Sequence, residues 1–296
     1  MSDARSLTLA LPKGKWHGRY GLACCPAHGD KHPSLTLADA PSGRLLLSCK
    51  AGCSFDAVRA ALQARGLLGH HQVPQLPDPA EIARREAEER AQAERAERKA
   101  VACWREAQPI NGTIAETYLR SRGITCALPD SLRFHPECWH PSAKRLPAMV
   151  ALIEGLPRLA VHRTYLRPDG KGKADAEPTK AMLGAAAGGA VRVAEAQGPL
   201  VVAEGIETAL SLCSGLLGRR ATVWATLSAP GMAALRLPSN PHRLTIASDS
   251  DDKGAGLSAA HKLAERAVAL GWTVSLLPAP QGMDWNDILM MKGASA

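Results

Sequence analysis

From Gly198 onward the chain repeats one pattern: a short apolar run, a turn, then a segment with helical spacing. Leu200–Ala203, Ala221–Leu227, Leu244–Ser248 and Thr273–Leu277 are the runs; Ile206–Cys213, Ala229–Leu235 and Ala255–Leu270 are the segments between them. A strand that is apolar on both faces must be covered on both faces, and parallel neighbours need a crossover helix. This region therefore predicts an α/β fold, a parallel sheet with flanking helices.

Acidic clusters follow three of those strands. Glu204-Gly205 comes after the first, and Asp249-Ser250-Asp251 with Gly254 after the third. Asp284-Trp285-Asn286-Asp287 follows the last strand across a short loop. Open parallel sheets bind ligands at their carboxyl edge. Carboxylates gathered there repel one another unless a cation sits between them, and an all-oxygen set selects Mg²⁺ or Mn²⁺. Asp249 and Asp251 project the same way from an extended strand end and can reach one ion. Glu204 is a further ligand or the general base that takes a hydroxyl proton. Glu207, one turn on, is placed to face the site but reads more simply as a solvent-exposed helix residue, and Asp252 as a surface or capping residue.

The first 70 residues hold a different chemistry. Cys25-Pro-Ala-His28 and Cys49-Lys-Ala-Gly-Cys53 flank two short alternating segments, Ser34–Ala38 and Arg44–Ser48, which read as a hairpin. Three thiolates and one imidazole complete a closed tetrahedral Zn²⁺ site, which would stabilise a module with little core of its own. Cys24 is a rival to Cys25, but Cys25 leaves two residues before His28. His17 and His32 read as surface residues. A helix capped by Ser54 follows over Ser54–Leu68. Lys13, Lys15, Arg19, Lys31 and Arg44 are either phosphate contacts or ordinary surface charges.

Residues 71–108 read as a turn-rich linker and then a charged helix, started by Asp78-Pro79-Ala80-Glu81 and laced with Glu/Arg pairs at i,i+4. Its charges nearly cancel, which predicts a solvated connecting helix. Thr113-Ile114-Ala115-Glu116 predicts a capping box, and Met149–Ile153 and Leu159–Leu166 predict strands before a basic, glycine-containing stretch. The 36 Lys and Arg against 28 Asp and Glu, a net +8, favour a polyanionic partner. Aromatics are 4%, so binding to a single strand must rest on phosphates more than on stacking. No apolar run approaches the ~20 residues that span a bilayer. Without a secretory-type leader, the expectation is a cytoplasmic protein whose eight cysteines are thiols or metal ligands.

Glu204-Gly205, Asp249-x-Asp251-x-x-Gly254 and Asp284-x-Asn286-Asp287 together resemble the Toprim domain shared by topoisomerases and bacterial-type primases. Cys25-Pro-x-His28, Cys49-x-x-x-Cys53 and Pro33-Ser34-Leu35 resemble the primase zinc ribbon. This resemblance implies a ribbon over 1–70, a helical linker over 71–108, a basic α+β half of the primase core over 109–197 and a Toprim domain over 198–296. It implies a DNA primase of the kind carried by phages, plasmids and integrated elements, making RNA primers on single-stranded DNA from nucleoside triphosphates. Mg²⁺ or Mn²⁺ would be held by Glu204, Asp249 and Asp251, with Asp287 or Asp284 assisting. Arg163, Lys173 and Lys180 would contact template or nucleotide phosphates. No G-x-x-x-x-G-K-[ST] motif is present, which implies a separate replicative helicase. The alternatives are a metal-dependent Toprim nuclease and a non-catalytic zinc-dependent DNA-binding accessory protein.

Overall fold

A computed structural model describes residues 4–40, 43–68, 79–250 and 254–294. The chain forms two compact units, 1–89 and 90–296.

In the first unit, helix α1 (Ala4–Ala10) precedes strands β1 (Lys15–Trp16), β2 (Gly21–Ala23), β3 (Leu35–Asp39) and β4 (Leu45–Cys49), which pair in that order as an antiparallel sheet. Helix α2 (Phe55–Ala64) follows, and the Ser54 side chain accepts the Ala57 N–H as expected of its N-cap. Leu35 and Leu37 on alternate positions of β3 pack with Leu7, Val58 and Leu62 in a small core. Helix α1 was not anticipated. Its first N–H, at Ala4, is held by the Asp39 carboxylate at 3.1 Å, a partner 35 residues away that local reading cannot supply.

Helix α3 (Pro79–Glu106) contains the division between the units. The proposed cap at Asp78 and the linker preceding it lie outside the described residues. The expectation of a merely solvated connector is corrected at its C-terminal end. Ala100, Cys103 and Ala107, small residues at helical spacing among the charges, are buried in a core with Val150, Val161 and Tyr165. Glu97 accepts from Arg158 Nη1 at 3.1 Å and from the Leu159 N–H at 3.3 Å.

Beyond it come β5 (Gln108–Pro109), α4 (Ile114–Ser121), β6 (Leu132–Trp139), β7 (Arg145–Ile153), β8 (Ala160–Tyr165) and β9 (Lys180–Leu183). The strands form an antiparallel meander in chain order. Strand β6 escapes sequence reading because Pro136 falls within a register shift between His135 and Cys138, which breaks the alternation. The capping box at α4 is also corrected. Thr113 Oγ1 donates to the Ile110 carbonyl, and Glu116 reaches back one residue further, to the Gly112 N–H at 2.7 Å.

The last sheet comprises β10 (Val191–Ala194), β11 (Leu200–Ala203), β12 (Thr222–Ala225), β13 (Arg243–Ser248) and β14 (Thr273–Pro278), in the order β10-β12-β11-β13-β14. All its pairings are parallel except that of β10 with β12. Helices α5 (Ile206–Ser211), α6 (Ala229–Ala234), α7 (Ala255–Ala269) and α8 (Trp285–Ala294) accompany it. One face packs Val202 and Ile246 against Leu263 and Trp272. The other packs Val201 and Ala203 with Ile206 and Leu210, and that core continues into Phe134 and Met149 of the meander. The two sheets of this unit thus share one hydrophobic interior.

Candidate active site and metal centre

The first constellation lies in the antiparallel unit. Cys25 follows β2, His28 lies in the next turn, Cys49 ends β4 and Cys53 precedes α2. Their ligand atoms all lie within 4.8 Å of one another. His28 Nδ1 is 3.2 Å from Cys53 Sγ and 3.9 Å from Cys49 Sγ. A tetrahedral site with Zn–S and Zn–N bonds has ligand–ligand edges of about 3.5–3.8 Å, a range these two separations bracket. Cys24 lies outside the group.

Sequence reading missed Asp30. Its Oδ2 accepts the Cys25 N–H at 2.7 Å and the Ser34 hydroxyl at 2.6 Å, and faces His28 Nε2 at 3.7 Å. Those hydrogen bonds hold its carboxyl down at about 2. A fixed anion behind Nε2 favours the proton there and leaves the Nδ1 lone pair for an ion. The Cys49 thiol is pulled down to about 6: burial opposes this, but the N–H groups of Cys53 and Ala51 and the Ser34 hydroxyl outweigh it. The signal available in the sequence was an Asp two residues after the ligand His.

The second constellation sits at the carboxyl edge of the parallel sheet. Asp249 follows β13. Thr208 Oγ1, on α5, donates to its two carboxylate oxygens at 3.1 and 3.2 Å, and the Trp285 N–H at the start of α8 also reaches it. Burial pushes the Asp249 carboxyl up to about 6, and the charges of Asp284 and Glu204 push in the same direction. Glu204 follows β11. Gly256 makes room for it: a Cβ there would lie 3.1 Å from Glu204 Oε2 and 2.9 Å from the Asp249 carbonyl oxygen. A cleft of about 280 Å³ opens beside Asp249, lined by Ser248, Gly254, Leu257, Pro278 and Gln281.

Asp251 and Asp252 lie outside the described residues. Asp287 is turned onto its own helix start. Its Oδ2 accepts the Asp284 N–H at 3.1 Å while Asp284 Oδ1 accepts the Asp287 N–H at 2.8 Å, a reciprocal cap on α8. Asp284 is the acid whose charge bears on Asp249. Among the described residues, no three carboxylates are grouped closely enough to hold a metal ion between them.

The reading of Glu207 as solvent-exposed is corrected. It is 6% exposed, and its carboxylate takes Lys173 Nζ at 3.2 Å, Lys180 Nζ at 3.5 Å and the Tyr118 hydroxyl at 2.9 Å. Burial alone would raise its carboxyl, but the two ammonium groups outweigh that and hold it far below the usual range. Both lysines remain about a third exposed. Arg163 stands apart from them. It is 6% exposed, with Nη1 donating to the Trp139 carbonyl at 2.7 Å and Nη2 to the Met182 carbonyl at 3.4 Å. Its guanidinium is committed to the sheet interior and presents no free face to a phosphate.

Residues 199–295 match the Toprim domain family, and residues 94–193 match a domain of unknown function (DUF7146). The chain therefore carries a Toprim domain in its C-terminal region. No curated protein sequence matches the chain. Among solved structures, the Aquifex aeolicus primase (zinc binding and RNA polymerase domains) aligns over 99% of this chain and 81% of its own, at 13% identity and a TM-score of 0.41. A DNA primase domain from Pseudomonas aeruginosa aligns over 65% of this chain and 74% of its own, at 18% identity and a TM-score of 0.43. No described helix is long and apolar enough to cross a membrane.

Proposed function

We propose that this protein is a DNA primase that joins ribonucleotides on a single-stranded DNA template by metal-dependent nucleotidyl transfer. The observation that carries the reading is the position of Asp249. It lies at the carboxyl edge of the Toprim sheet under the charges of Glu204 and Asp284, while the neighbouring turn of α5 anchors two part-exposed lysines. A site for nucleotide polymerisation needs both parts, carboxylates for a divalent cation and ammonium groups for phosphates.

Glu204, Asp249, Asp284 and Asp251 would hold Mg²⁺ or Mn²⁺, which supplies charge stabilisation on the triphosphate and the leaving pyrophosphate. Thr208 and the Trp285 N–H fix the Asp249 carboxylate. Lys173 and Lys180 bind triphosphate oxygens with the donors that Glu207 leaves free. The Glu204 carboxylate serves either as a ligand of the divalent ion or as the base that takes the proton of the attacking 3′-hydroxyl. Cys25, His28, Cys49 and Cys53 would hold a structural Zn²⁺, and the small sheet they close grips the template.

A priming assay tests this reading, with single-stranded templates, Mg²⁺ and four ribonucleoside triphosphates, one of them labelled. Short template-dependent RNA products, absent with Asp249→Asn, are expected. Cleavage of DNA in the absence of nucleotides would convert the reading to a Toprim nuclease. Tight DNA binding with no turnover on any template would make the protein an accessory factor.

A further inference from the structure

We infer that Trp139, with Arg145 stacked on it, is a base-stacking platform for single-stranded nucleic acid. This inference rests on the template-binding part of the proposed function.

Trp139 is 55% exposed, although only 4% of the chain is aromatic. A lone exposed aromatic is ordinary; here the backbone that carries it is held by buried polar groups. The Trp139 carbonyl accepts two hydrogen bonds of 2.7 Å, from Arg163 Nη1 and from the hydroxyl of the fully buried Tyr165. The next residue, His140, is itself buried and contacts the Pro178 carbonyl through Nε2 at 3.0 Å and the Ser142 hydroxyl through Nδ1 at 2.7 Å. The end of β6 is thus clamped from beneath while the indole stays in solvent. The Arg145 guanidinium lies 4.8 Å from the ring centroid and is anchored by Nη1 to the Glu137 carbonyl at 3.2 Å. An indole with a flat cation over one face offers its other face to a base and the cation to a phosphate, and an anchored backbone and guanidinium lower the cost of binding. Lys144, also exposed, adds a second cation on the same hairpin.

A series of largely buried contacts ties the backbone beneath the platform to the acidic site. Pro178, which His140 holds, lies two residues before Lys180. Lys180 pairs with Glu207, and the next residue on α5, Thr208, holds Asp249.

The test is fluorescence anisotropy of a labelled oligothymidylate with the full chain, without nucleotides or divalent cation, for Trp139→Ala, Trp139→Phe, Arg145→Ala and the exposed-surface control Met291→Ala. Trp139→Ala is expected to bind about tenfold more weakly with an unchanged salt dependence, since stacking releases no counterions. Trp139→Phe should recover most of the affinity. Arg145→Ala should weaken binding and reduce the salt slope by about one. Met291→Ala should bind as wild type does. Unchanged binding by Trp139→Ala, or equal loss in the Ala and Phe variants, overturns the platform while leaving the primase reading intact. Failure of the wild-type chain to bind any single strand sinks both.

Discussion

Lys173 Nζ lies 3.2 Å from Glu207 Oε1, and this ion pair is half-sunk: the carboxylate is buried while the ammonium group is about a third exposed. Lys180 completes the arrangement from the other oxygen. Removing either lysine leaves the buried carboxylate one cation. Removing both strands it, and an uncompensated buried charge costs about 3–5 kcal/mol. The double variant Lys173→Met/Lys180→Met should therefore lose more stability to urea than its single variants summed, and adding Glu207→Gln should restore most of the excess. Additive losses would show that the three side chains do not act as one unit.

A second prediction follows from the crowding at Asp249. Its carboxylate is buried among the charges of Asp284 and Glu204, so the cation-free protein carries repulsion that Asn removes. Asn also keeps an oxygen for the Thr208 hydroxyl and the Trp285 N–H. Asp249→Asn should raise the stability of the metal-free protein by about 1–2 kcal/mol and abolish primer synthesis. Millimolar Mg²⁺ should raise the Tm of the wild type and leave that of the variant unmoved. Thermal melts with and without Mg²⁺ check both; a variant that melts earlier than wild type in EDTA contradicts the argument.

The Cys/His group should be the fold-determining feature of the first unit, whose core is small. Cys49→Ser should release zinc and expose residues 1–68 to protease while leaving the 90–296 unit resistant. Asp30→Ala, which takes away the anion behind His28 and an acceptor for Cys25 and Ser34, should lower zinc affinity about 10–100-fold. Metal analysis and chelator competition on the purified full chain measure both effects. Zinc-free wild-type protein that keeps its protease resistance would remove the basis for this prediction.

How much of this was open to sequence reading divides along local and non-local lines. The strands Leu200–Ala203 and Leu244–Ser248 were legible because burial on both faces leaves an unbroken apolar run. The Cys/His pairs were legible because each closes within a turn. Asp284 and Asp287 were visible as an acidic pair, but that each accepts the other's N–H at the start of α8, and that the charge of Asp284 bears on Asp249, depends on the helix start they share. Glu207 carried no local sign of burial. Its partners lie 34 and 27 residues earlier, in a stretch that reads as a basic loop. Arg163 failed in the opposite direction. The resemblance to primases implied a phosphate contact, but every side chain of β8 is buried, and only the sheet pairing shows that.

His162 supplies the pH prediction. It is buried on β8 with its Nδ1 unpartnered among the described residues. Burial lowers its pKa from 6.5 to about 4; the cations Lys180, Arg163 and Lys173 act in the same direction and Glu207 opposes them. On acidification the unfolded chain takes up this proton first, so the native state loses ground as the pH falls from 6.5 toward 4 and holds the full contribution above 6.5. Between pH 7 and 5 the single group accounts for about 2 kcal/mol of lost stability. His162→Gln, which cannot titrate, should show a correspondingly shallower decline of urea midpoint over that interval, whatever its stability at pH 7. Equal slopes for the two proteins would mean that the imidazole becomes charged within the fold as readily as in the unfolded chain, and that neither its burial nor the lysines beside it govern the acid response.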